Sequence, residues 1–215
     1  MTGATAQGVA LGAGALLLTA VLLVWRPSAR SAARLLALQG AALAVLVLTL
    51  GLAEGDAELV AVAGLVLAVK ALLVPWAIAS TSARLPAGTT PGRSPGAGLL
   101  WAAVLTTVAF VASRPIVAAS GETGGAVPVG LSLVLIGFLV MLGRRDALAQ
   151  LVGFVVVDNG IATVAFLTTG GVPLVVELGV TLDVVLVVLI LRILVHRIQD
   201  TFGGTDLVDL QELAD

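Results

Sequence analysis

No cysteine occurs anywhere in the chain. It therefore cannot hold an iron–sulfur cluster or a thiolate zinc site of its own. Histidine occurs once, as His196 beside Arg197 at the end of an apolar run, which is the setting of an interfacial residue rather than of a metal or haem ligand. No glycine-rich GxGxxG or P-loop pattern appears, so nucleotide binding has no support. No cofactor is expected on this chain. Charged residues make up only 11% of the sequence and aromatic residues 4%. A soluble domain carries roughly 25% charge. The net charge is −2 and there is no basic tract, which argues against a nucleic-acid partner.

Apolar residues are abundant, at 59% of the chain. One soluble core cannot hide such an excess, so the fold class expected is all-α, a polytopic integral membrane protein. About 20 apolar residues span a bilayer as a helix. Seven runs approach this length: Ala4–Trp25, Ala33–Ala53, Leu59–Ala79, Ala97–Ser113, Gly124–Leu142, Ala147–Thr168 and Pro173–Val195. The fourth is the shortest, because Arg114-Pro115 closes it; Ile116–Ala119 offers an extension beyond. The first run has no basic segment before it and is too long for the core of a signal peptide, so it is expected to be a retained helix.

Arginine placement orients these spans. Arg26, Arg30 and Arg34 follow the first, Arg84 and Arg93 the third, Arg144 and Arg145 the fifth, and Arg192 and Arg197 close the seventh. The alternate connections hold Glu54, Asp56 and Glu58, then Arg114 with Glu122, then no charge. Nine of the ten arginines thus fall on one side. The positive-inside rule puts the N-terminus outside and the C-terminus in the cytoplasm. An even number of spans would put Arg192 and Arg197 on the wrong side.

Residues 1–215 read as one membrane domain. Within it, Gly8 and Gly12 have the spacing that lets another helix approach closely. Pro75 removes a backbone donor from the third span and is expected to kink it. Leu85–Gly98 is a Pro/Gly/Ser/Thr-rich connector. The tail 200–215 is the one polar segment. Thr205 or Asp206 offers a helix cap there, and Leu207, Leu210 and Leu213 recur every three residues. That tail is either a frayed end or a short docking helix.

The informative residues are the ionisable ones inside apolar runs. Lys70 lies near the middle of the third run, Asp158 of the sixth and Asp183 of the seventh; Glu177 stands six residues before Asp183. At about 1.5 Å per residue Glu177 lies roughly 9 Å nearer the outside, close to the outer water layer. Lys70, Asp158 and Asp183 thus reach one depth from three helices. Charges in hydrocarbon are costly, face the bundle interior and pair with one another, and they mark ion pathways. Interhelical hydrogen bonds in membranes contribute only about 0.6–2 kcal/mol, a poor reason to bury four ionised groups. Lys70, Asp158, Glu177 and Asp183 are therefore the candidate relay for protons or cations. Asn159, next to Asp158, either hydrogen-bonds that relay or joins helices.

Beyond these readings, the set Gly153-Phe154, Asp158-Asn159-Gly160, Thr169-Gly170-Gly171-Val172-Pro173-Leu174-Val175-Val176-Glu177-Leu178-Gly179, Asp183, Arg197-Ile198 and Thr201-Phe202-Gly203 resembles component E of hydrogenase-4 and of related formate hydrogenlyase complexes. The likeness is densest over 144–204, and the span with Lys70 and Pro75 resembles that family's third. Component E carries Glu where this chain has Asp158. Residues 143–197 also look like the small K subunit of NADH:quinone oxidoreductase and the C subunit of multi-subunit cation/proton antiporters. The resemblance implies a non-catalytic membrane-arm subunit of a complex I-like oxidoreductase in a bacterial or archaeal cell membrane. It would sit between antiporter-like subunits and a hydrogenase-type redox module whose nickel and iron–sulfur centres lie on partners. The alternative is a subunit of a redox-independent cation/proton antiporter.

Overall fold

In a computed structural model of the chain, residues 3–25, 28–82, 95–143 and 147–169, with Val185 and Leu189, are the residues described. All regular structure among them is helical. The helices are α1 (Gly3–Trp25), α2 (Ala29–Glu54), α3 (Ala57–Val66), α4 (Val74–Ser82), α5 (Pro95–Ala112), α6 (Arg114–Ala119), α7 (Val127–Gly143) and α8 (Ala147–Thr169). A π-helical segment, Leu67–Leu73, joins α3 to α4, and a 3-10 turn, Gly121–Ala126, leads into α7.

Among the described residues, five stretches are long and apolar enough to cross a membrane: Gly3–Trp25, Arg30–Glu54, Ala57–Ser80, Gly124–Gly143 and Leu148–Thr169. Gly96–Ala112 is apolar but shorter. Six of the seven expected runs thus coincide with described helices, the fourth being the short one. Ser113 is a turn, and Pro115 sits in the first turn of α6, where its missing N–H costs nothing. Ile116–Ala119 therefore form a separate short helix rather than an extension of α5. The seventh run apart from Val185 and Leu189, Glu177, Asp183, the tail 200–215 and residues 85–94 of the expected connector lie outside the described residues, while the last four residues of that connector, 95–98, are the start of α5 rather than loop.

The bundle is covered in hydrocarbon. Leu11, Leu18, Leu52, Leu72, Leu100 and Leu142 all point outward, Leu142 with 82% of its surface open. In water such a surface would drive association; in lipid it is the ordinary exterior of a spanning helix. The inward side of α1 runs Val9, Gly12, Ala13, Leu16, Thr19, Ala20 and Leu23, spaced by three and four residues.

The ends of the helices are set locally. Ser28 caps α2 by accepting from Ser31 N at 3.3 Å. Gly55, at φ 69°, closes α2 in the left-handed conformation that glycine adopts without strain. Asp56 then accepts from Glu58 N at 2.8 Å and Leu59 N at 3.3 Å, capping α3. One of the three carboxylates in that connection thus serves a helix terminus.

Close helix contacts rest on glycine. As the spacing predicted, Gly8 and Gly12 face α2. A Cβ at Gly8 would stand 2.7 Å from Thr49, and one at Gly12 3.1 Å from Leu46. A second glycine seam joins the antiparallel α7 and α8. A Cβ on Gly160 would stand 2.7 Å from Gly130 O, and one on Gly153 2.7 Å from Gly137 O. Both pairs are seven residues apart along their helices, so two contacts recur on one face of each.

Candidate functional site

The face of α8 that turns away from this glycine seam is polar. Asp158 Oδ2 lies 2.9 Å from Lys70 Nζ, and the two side chains are 8% and 1% exposed. The charges that the sequence placed at one depth therefore meet as a buried ion pair between α8 and the π segment. Such a pair has two opposing terms. Desolvating both charges costs several kcal/mol each, and their attraction at contact offsets much of it.

Lys70 owes its position to Pro75. In an α-helix each N–H bonds the carbonyl four residues back, and Pro75 has no N–H to give. The helix widens just ahead of it, and Val74 N–H reaches Val69 O, five residues back. Lys70 lies in the middle of this wider turn. The disturbance expected at Pro75 takes the form of a π segment just ahead of it, and the span runs on to Ser80. The physical reason is that one residue taken into a wider turn absorbs the missing donor without breaking the helix.

The π segment packs on α2 at Gly40. A Cβ there would stand 2.5 Å from both C and O of Lys70 and 2.7 Å from Ala71 N. Those are backbone atoms, which cannot swing aside. Only a glycine at 40 lets Lys70 come this close.

The preceding residue, Gln39, is fully buried and bridges three helices. Its Nε2 donates to Leu16 O on α1 at 3.4 Å, and its Oε1 accepts from Asn159 Nδ2 on α8 at 3.1 Å. A carbonyl only accepts, so Leu16 O fixes which end of the Gln39 amide faces α1, and this in turn fixes Asn159 as the donor. Asn159 Oδ1 is buried without a hydrogen-bond partner among the described residues. Thr163 Oγ1 donates back to Asn159 O at 2.7 Å.

The structure thus brings together two of the four candidate ionisable residues, Lys70 and Asp158; Glu177 and Asp183 are outside the described residues. Of the two readings of Asn159, the observed bond is the one that joins helices. Gln39 escaped a search confined to charged residues. The signal was there: it is a lone amide within Leu35–Thr49, an otherwise apolar or small-residue run, where an unbonded amide costs about 1–3 kcal/mol.

Comparison with known proteins supplies two kinds of relative. The chain is 44% identical over 211 residues to the uncharacterized protein Rv0085 of Mycobacterium tuberculosis, covering 96% of each. It is 26% identical over 204 residues to hydrogenase-4 component E of Escherichia coli, covering 94% of each, and matches the Shigella flexneri protein of that name equally well. No protein-family model matches the chain, and no solved structure does.

Proposed function

We propose, from the premise that the chain belongs to the family of the uncharacterized protein Rv0085 of Mycobacterium tuberculosis, that it is a non-catalytic membrane subunit of a complex I-like oxidoreductase of the hydrogenase-4 type. Its place is in a cell membrane, among antiporter-like subunits and beside a peripheral redox module. Its contribution is a mid-membrane relay for protons or cations that includes Lys70 and Asp158, with Glu177 and Asp183 as further members. The observation that carries this reading is the Lys70–Asp158 contact of 2.9 Å inside an apolar bundle. A carboxylate and an ammonium in contact within a low dielectric respond strongly to any third charge that approaches. Arrival of a proton or cation from a neighbouring subunit loosens the pair, and its departure restores it. That is the behaviour a lateral relay requires. The full-length likeness to component E supports the type of complex.

The experiment compares Asp158→Asn and Asp158→Glu in the complex purified through a tag on this chain and reconstituted in vesicles. Ion uptake and electron transfer are measured in the same sample. Asn keeps the shape and a hydrogen bond but holds no mobile proton, so pumping should stop while electron transfer and assembly persist. Glu should pump. Native pumping by Asp158→Asn removes Asp158 from the path. Co-purification with antiporter subunits and no redox module would move the chain to the rival assembly. The orientation proposed with this reading has the N-terminus outside and seven spans. Reporter fusions after Arg93 and after Arg197 should both report cytoplasm, and an outside signal from the second would overturn the count.

A further inference from the structure

The two members of the ion pair are held by neighbouring residues of a third helix. Gly40 receives the backbone of Lys70, and Gln39 grips Asn159, the residue after Asp158. The step Gln39-Gly40 therefore touches the main chain of Lys70 directly and reaches Asp158 through its chain neighbour Asn159. From this juxtaposition we infer that Gln39 and Gly40 are positioning residues, a fixed gauge on α2 that sets the separation of Lys70 Nζ and Asp158 Oδ2.

Three observations carry it. First, the contact at Gly40 is backbone against backbone, so it fixes the main chain of Lys70 rather than the tip of a flexible side chain. Second, the Gln39–Asn159 bond is directional. Leu16 O holds the Gln39 nitrogen, and the amide cannot be turned end for end without setting its oxygen against Leu16 O. Such a bond specifies the rotation of α8 about its axis, which apolar packing leaves loose. Third, the opposite side of α8 is pinned by Gly153 and Gly160 against α7. With one side seated on a glycine seam and the other bonded to Gln39, α8 has little freedom to turn Asp158 away from Lys70. Lysine reaches its target through four flexible methylenes, so without such a gauge the charge separation would vary widely.

This inference rests on the relay reading for its use, but its test does not. Lys70 is the chain's only lysine, since ten of the eleven basic residues are arginine. Lysine labelled with ¹⁵N at Nζ therefore places a single reporter in the purified full-length chain in lipid nanodiscs. With aspartate carboxyl carbons labelled ¹³C, the dipolar coupling to that nitrogen reads the distance to nearby Asp carboxyls. The part due to Asp158 is what disappears in Asp158→Asn. In Gln39→Leu combined with Asn159→Leu, both amides go together and no bonded group is stranded, so the fold should persist. The Asp158 coupling should then weaken or split into a range. Gly40→Ala should lengthen the distance through the Lys70 main chain. Gln39→Asn combined with Asn159→Gln conserves the span of the amide bridge and should restore much of the native coupling. An unchanged Asp158 coupling in the double leucine variant would overturn the inference, whatever Asp158→Asn does to pumping. A weakened coupling would uphold it even in a chain whose Asp158→Asn form pumps normally.

Discussion

The two sides of α8 solve one problem in opposite ways. Toward α7 it presents Gly153 and Gly160, and the contact is main chain on main chain. Toward α2 and the π segment it presents Asp158 and Asn159, and the contact is an ion pair beside an amide bridge. Lipid is as apolar as a leucine side chain, so a membrane helix gains little by hiding leucine. It gains by close approach, which needs missing side chains, or by satisfying polar groups that lipid cannot. The glycine side adds dispersion contacts at almost no desolvation cost. The polar side carries a desolvation cost that its pairing only partly offsets. The difference teaches that the glycine seam sets how closely α8 packs and the amide bridge how it is turned, while the buried charges beside that bridge call for a functional account.

The largest test of this contrast is to strand a charge. Asp158→Leu alone, or Lys70→Met alone, takes one charge of the buried pair away from the other and should destabilise the chain by about 3–5 kcal/mol. Combining the two substitutions should recover most of that loss, because neither charge of the pair remains. Thermal unfolding of the purified chain in detergent reads both. If the double variant is no better than the worse single one, the polar side is a structural clamp and the contrast fails.

Next in size is the seam. Gly160→Val must displace the α7 backbone at Gly130 and should cost about 1–3 kcal/mol. Gly14→Ala, with open space around it, should stay within about 0.5 kcal/mol of the native chain. Equal effects at the two positions in the same unfolding measurement would mean that the seam does not bear on stability.

Among the substitutions at Asp158, the smaller change in stability should come from Asp158→Asn, because the amide still offers Lys70 an acceptor that Leu does not. A small effect here beside a large one for Asp158→Leu would sharpen the contrast, since both remove the carboxylate charge and only Asn keeps a polar partner for Lys70. Unfolding at low and high salt should leave the native ion pair unaffected, because screening acts weakly on groups withdrawn from water.

Much of the fold was legible without coordinates. Apolar runs of spanning length, broken by Ser28, Gly55-Asp56 and Ser113-Arg114-Pro115, mark helices and their ends by rules that act within a few residues. The common depth of Lys70 and Asp158 was legible too, because rise per residue converts sequence position into height. The partnership of Gln39 with Asn159 was not, since the two stand 120 residues apart and nothing local couples them.

What the sequence by itself determined is therefore what depends on distance along the chain: the helical class, the spans among the described residues, their caps, and the common height of Lys70 and Asp158. What only the tertiary structure decided is what depends on rotation about helix axes. That includes the pairing of Lys70 with Asp158, the turn of Asn159 toward Gln39, and the approach of the Lys70 backbone to Gly40. Hydrophobic patterning normally fixes that rotation in water. A helix that is apolar on every side carries no such pattern, so its rotation is set by the particular glycines and polar groups of its neighbours.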